Sequence, residues 1–153
     1  MLENPSAEQP HAAKDVSQHV GYVLKRAQAA LRGAMDKVLR EHGLTVPQYA
    51  TLEFLALHPG MSNADLARAT FVTRQSANVV LRGLQEAGLL TRPALADHGR
   101  ARPAHLTEEG RTRLAEVQAA VYAIERRMVE AIPPHRMAAL VTDLDRIAET
   151  LEE

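Results

Sequence analysis

Between residues 15 and 42 apolar side chains recur three and four positions apart, at Val20, Val23, Leu24, Ala27, Leu31, Ala34, Met35 and Val38. That spacing predicts a helix, with Gly43 as its stop. So long a helix with so narrow a stripe packs against more than a small domain of its own. In the following LTVPQ, Thr45 and Gln48 form a capping-box pattern, and Pro47 falls in the first turn, where its missing N–H is harmless. The second helix continues through Tyr49, Leu52, Phe54, Leu55 and Leu57 and ends at His58-Pro59-Gly60. Ser62 caps a short third helix, with Asp65 in its first turn and Leu66 and Ala67 facing inward. Phe71 and Val72 are expected to fill the next turn, and Thr73 to cap a fourth helix over 73–87 that Gly88 closes. One face of that helix is Ala77, Val80, Leu81 and Leu84; the other is Arg74, Gln75, Asn78, Val79 and Arg82. Gly83 costs roughly 1 kcal/mol there relative to alanine, which points to a close helix approach.

Leu89-Leu90-Thr91 and residues 103–106 read as two short strands, with Asp97-His98-Gly99-Arg100 at the hairpin tip. Thr107 caps a further helix carrying Leu114, Val117, Val121, Ile124, Met128 and Ile132. Pro133-Pro134 breaks it, and a last helix carries Met137, Leu140, Val141, Leu144, Ile147, Ala148 and Leu151. Residues 62–107 therefore outline a winged helix-turn-helix, a shape that sets one helix into a DNA major groove. The fold class expected is mainly α with a small β-wing. Residues 1–14 form a mobile lead, 15–42 a dimerisation helix, 45–106 the winged domain and 107–153 the C-terminal dimerisation helices. The outer helices cannot all hide their stripes on a small winged core, so pairing with a second copy is expected.

Charge sharpens this picture. The chain of 153 residues has a formal net charge of −1, yet residues 61–106 hold six arginines (68, 74, 82, 92, 100, 102) against three acids (Asp65, Glu86, Asp97). A basic module in an acidic frame suits a local phosphate-binding face. There is no cysteine, which excludes disulfides, thiolate metal sites and thiol redox sensing. None of the seven histidines makes an H-x-x-x-H or H-E-x-x-H pair, so no metal site is expected. No apolar run approaches a membrane span, and the polar, acid-bearing start is unlike a secretory signal; a cytoplasmic protein is expected. No glycine-rich phosphate loop or converging carboxylates appear, so neither catalysis nor a cofactor is expected.

Three stretches resemble the multiple antibiotic resistance regulator (MarR) family of bacterial transcription factors. They are LTVPQY, the ungapped run DLARATFVTRQSANVVLRGLQEAGLL, and GRARPAHLTEEG with its Leu-Thr followed by Gly110. The resemblance runs from about Val16 almost to the end, and its specificity lies in the order and spacing of these pieces. It implies a homodimer whose recognition helices enter successive major grooves of a palindromic operator while the wings reach flanking minor grooves. By position, Arg74, Gln75, Ser76 and Asn78 fall where the family reads or positions DNA, and Arg100 falls at the wing arginine. The family usually has an aspartate two residues before that arginine; here His98 takes the place and Asp97 lies one earlier.

The DNA-binding set expected is therefore Thr73, Arg74, Gln75, Ser76, Asn78, Arg82, His98, Arg100 and Arg102, with Thr73 mainly a cap. The family also implies a small phenolic or anionic effector between the dimer helices and the winged domain. Its candidate lining is His19, Tyr22, Arg26, His42 and Tyr49. The function expected is a sequence-specific regulator, read as a repressor released by a small ligand. The rival is a winged-helix dimer that binds protein rather than DNA.

Overall fold

Four helices start where a side-chain oxygen receives a free backbone N–H. In the computed structural model, which describes residues 15–93 and 102–152, Thr45 and Ser62 each form a full capping box, with Gln48 and Asp65 reaching back. Thr73 accepts from the Ser76 N–H and Thr107 from the Gly110 N–H, both at 3.0 Å. Hydrogen bonds from the Ser62 side chain and backbone hold the Asp65 carboxyl below its ordinary pKa. These caps begin α2 (Val46–Leu57), α3 (Asn63–Ala69), α4 (Arg74–Glu86) and α5 (Glu108–Glu130). Before them runs α1 (Val20–Glu41), and after them α6 (Pro134–Glu152). The first helix starts later than expected. Val16–Gln18 form a single 3-10 turn, and His19 is extended (φ −73°, ψ 133°), which breaks the helix there.

The wing is an antiparallel pair, β1 (Leu90–Thr91) and β2 (His105–Leu106), with Leu90 opposite Leu106. The expected tip at 97–100 and the lead at 1–14 lie outside the described residues.

The core gathers one side chain or more from each of α1 to α5 and the wing. Leu39, Leu52, Leu55, Leu66, Leu81, Leu84, Leu90 and Val117 are all fully buried. Each buried leucine contributes about 1.5–3 kcal/mol of transfer free energy. Leu39 is the buried residue of α1, and it lies outside the stripe predicted for that helix. The stripe itself is largely uncovered: Val20, Val23 and Leu31 are exposed, as are Met128 and Val129 on α5 and Leu140, Val141, Leu144 and Leu151 on α6. No residue of α6 is buried. One chain therefore covers the winged core and leaves its outer helices with apolar faces in solvent.

Three helices end in the same way. After α1, α3 and α4 the backbone turns left-handed, and the next two N–H groups close back on the last turn. Gly43 (φ 70°) and Gly88 (φ 75°) serve α1 and α4, with Leu44 N–H to Leu39 O and Leu89 N–H to Leu84 O at 2.9 Å. After α3 the residue is Phe71, at φ 56°, with Val72 N–H to Ala67 O at 3.0 Å. Phe71 is 90 % exposed. It does not fill the turn as the sequence suggested, because the left-handed backbone swings its side chain outward.

Glycine has opposite meanings at two other positions. A Cβ on Gly110 would lie 2.0 Å from the Leu89 carbonyl oxygen, whereas one on Gly83 would meet nothing nearer than the Gln48 side chain at 3.8 Å. The close approach expected at Gly83 is therefore absent; the close approach is at Gly110. Gly83→Ala should raise stability by roughly 1 kcal/mol. Gly110→Ala should lower it by about 1–3 kcal/mol, because backbone must move. Thermal unfolding of the two variants checks both signs.

Candidate nucleic-acid interface and ligand cavity

Burial of Ala77, Leu81 and Leu84 against the core fixes which face of α4 looks outward. That face presents Arg74, Gln75, Ser76, Val79 and Arg82, all exposed, with Asn78 half-buried at its edge. Thr73 is the N-cap. Its hydroxyl donates to Ser76 Oγ at 3.0 Å while accepting the Ser76 N–H. Each hydroxyl has one proton, so the Ser76 proton stays available for an outside acceptor such as a phosphate oxygen. Val79, 63 % exposed between these polar groups, offers an apolar surface of the kind that meets a thymine methyl. Asn63 on α3 donates to the Arg74 carbonyl at 3.2 Å and fastens the start of α4.

Three arginines converge beside α4. Arg92, just past β1, donates from Nη1 to Asn78 Oδ1 at 3.2 Å and from Nε to Gln85 Oε1 at 3.3 Å. Arg102 donates from Nε to the Pro93 carbonyl across the wing. Burial first, then the charges of Arg102 and Arg82, push the Arg92 pKa down. The salt bridges among the described residues involve Arg32, Arg68, Arg113 and Arg146 and none of this trio. Like charges crowded without acids suit a surface that meets anions. Arg92 was missed by sequence reasoning, since its partners lie 14 and 7 residues away and no local spacing announces them. His98 and Arg100 lie outside the described residues.

A second feature adjoins the turn after α3. A half-open cavity of about 640 Å³ lies between α1, α2, α5 and residues 70–72. Its apolar wall includes Leu31, Met35, Val46, Val121 and Ile124, and its polar groups include Gln28, Arg32, Tyr49, Glu53, Tyr122 and Glu125. The Tyr49 hydroxyl donates to Glu53 Oε1 at 2.9 Å. Burial, then that hydrogen bond and the charge of Glu53, raise the Tyr49 pKa far above the phenol range, so it stays a neutral donor. Arg32 carries the cavity's positive charge and sits 3.6 Å from Asp36.

Of the residues expected to line a ligand site, Tyr49 lines this cavity; His19, Tyr22, Arg26 and His42 do not. For His19, Tyr22 and Arg26 the reason is length, while His42 is the C-cap at the opposite end of α1. At 1.5 Å per residue α1 spans about 33 Å and α2 about 18 Å, so the first turns of α1 project past the cavity. The α1 positions that face it are 28, 31, 32 and 35.

The sequence pattern of the MarR family matches residues 42–101. The HTH-type transcriptional repressor Rv2887 of Mycobacterium tuberculosis is 42 % identical over 110 residues, covering 72 % of this chain and 79 % of that protein. The crystal structure of Rv2887 in complex with salicylic acid superposes with a TM-score of 0.64 at 37 % identity, covering 91 % of this chain and 98 % of that one. The transcriptional repressor CouR of Rhodococcus jostii RHA1, bound to a 23-mer DNA duplex, superposes with a TM-score of 0.79 at 28 % identity, covering 88 % and 96 %. Their winged-helix architecture is the one built above from caps, turns and buried faces. With a relative this similar over most of its length, the chain belongs to the MarR family of DNA-binding transcriptional regulators.

Proposed function

We propose that this chain is a cytoplasmic homodimeric repressor that binds a palindromic operator and is released by a small phenolic or anionic ligand. The observation that carries the DNA part is the outward polar face of α4, flanked by Arg82, Arg92 and Arg102 without acid partners among the described residues. Arg74, Gln75, Ser76, Asn78 and Arg82 contact base edges and phosphates; Arg100, Arg102 and His98 serve the wing. No chemical step belongs to this role. The uncovered stripes of α1, α5 and α6 are the dimer surface, which makes residues 15–42 and 107–153 the dimerisation part. Two-fold pairing then sets the recognition helices about one DNA turn, roughly 34 Å, apart.

The cavity supplies the release. A phenol's ring fits the apolar wall, its hydroxyl meets the Tyr49–Glu53 pair, and a carboxylate faces Arg32. Residues 70–72 both line this cavity and lead into the cap of α4. A ligand that prefers a shifted turn lowers DNA affinity by its differential binding free energy.

Affinity for mixed-sequence duplex should fall steeply with salt through counterion release. Arg82→Ala and Arg102→Ala should each reduce the log–log salt slope by about one, measured by fluorescence anisotropy. A flat salt dependence would favour the protein-binding rival. Phe71→Gly removes a left-handed phenylalanine and should stabilise the fold by about 1 kcal/mol. It should also weaken the effect of salicylate on duplex binding. A lower melting temperature, or undiminished release by salicylate, would remove Phe71 from this account.

A further inference from the structure

Arg92 stands where the wing leaves the recognition helix, and its guanidinium forks across Asn78 and Gln85, two turns apart on one edge of α4. A guanidinium has only donors, so an amide beside it must turn its oxygen inward. The NH2 group of Asn78 is then turned away from Arg92, and it makes no hydrogen bond and is not buried without a partner among the described residues. Asn78 is half-buried, so the orientation is held within a packed edge. Both amide oxygens face a guanidinium whose pKa is lowered by burial first and then by the charges of Arg102 and Arg82.

Major-groove edges respond differently to an outward NH2. Guanine offers O6 and N7, adenine N7 and thymine O4 as acceptors, whereas cytosine presents its N4 amino donor. The two-bond pairing of asparagine with adenine also uses the amide oxygen, and in this chain one of that oxygen's two lone pairs is already taken by Arg92, which disfavours the pairing. We infer that Arg92 is a positioning residue that fixes Asn78 with its NH2 toward DNA, making Asn78 a donor that selects acceptor-bearing bases and rejects cytosine. The inference rests on α4 being the helix that enters the major groove.

The test is selection of bound sites from random duplexes with full-length protein, wild type and variants. Wild type should deplete cytosine roughly tenfold at one position of each half-site, the size of one specific contact. Arg92→Gln lets the amide turn either way. Depletion should shrink to about twofold or less while adenine gains, with other positions unchanged. Arg92→Lys, also a donor-only cation, should keep part of the depletion, and it serves if Arg92→Gln folds poorly. In an Asn78→Ala background, Arg92→Gln should change nothing further at that position. A base profile unchanged by Arg92→Gln, or preferences weakened equally at every position of the half-site, would overturn the inference. A profile unchanged by Asn78→Ala would instead show that Asn78 does not read a base, and a wild type that enriches no site would overturn the DNA-binding reading beneath it.

Discussion

Thr107 joins three parts of the chain through its hydroxyl and its N–H. The hydroxyl donates to the Gly88 carbonyl at 2.7 Å and accepts the Gly110 N–H, while its own N–H bonds the Leu89 carbonyl at 3.1 Å. These bonds tie the end of α4, the start of β1 and the first turn of α5 into one knot. Gly110 permits it, since any Cβ there would strike Leu89. The recognition helix is thereby held to α5, the helix that runs from the winged domain toward the uncovered apolar faces. Whatever fixes α5 in space also fixes α4.

Around that knot the proposed DNA surface and the proposed ligand cavity share an element. The turn at 70–72 ends α3, lines the cavity and leads to the Thr73 cap of α4. A left-handed phenylalanine at 90 % exposure in that turn serves neither burial nor backbone comfort. Strain kept at such a place points to a role in function. The cavity's polar groups and this turn line one space, so under the proposed function ligand binding and DNA contact would draw on one piece of backbone.

Much of this was legible in the sequence because it is local chemistry. The caps at Thr45, Ser62, Thr73 and Thr107 and the left-handed stops at Gly43 and Gly88 depend on neighbours within a few residues. The family pattern lies in the same local spacing. What escaped depends on distant contacts. Periodicity on α1 showed an apolar stripe but could not tell that Leu39, off that stripe, meets the winged core. Phe71 looked like filler because φ is set by the packing of α3 on α4 and not by its own preference. The cavity lining followed from how far α1 overhangs α2, and the Arg92–Asn78 bond from how the wing folds back, neither of which spacing along the chain reveals.

The central claim is that a pair of chains holds two α4 helices at a fixed spacing through the Thr107 knot and the outer helices. The chain has no cysteine, so Glu86→Cys places a single spin label at the exposed end of α4. Pulsed electron paramagnetic resonance then measures the distance between labels across the pair. The account predicts one narrow distribution, on the order of 34 Å with operator-length duplex bound, that moves or broadens when salicylate is added. The absence of a dipolar signal, or a broad distribution that duplex does not narrow, would contradict it.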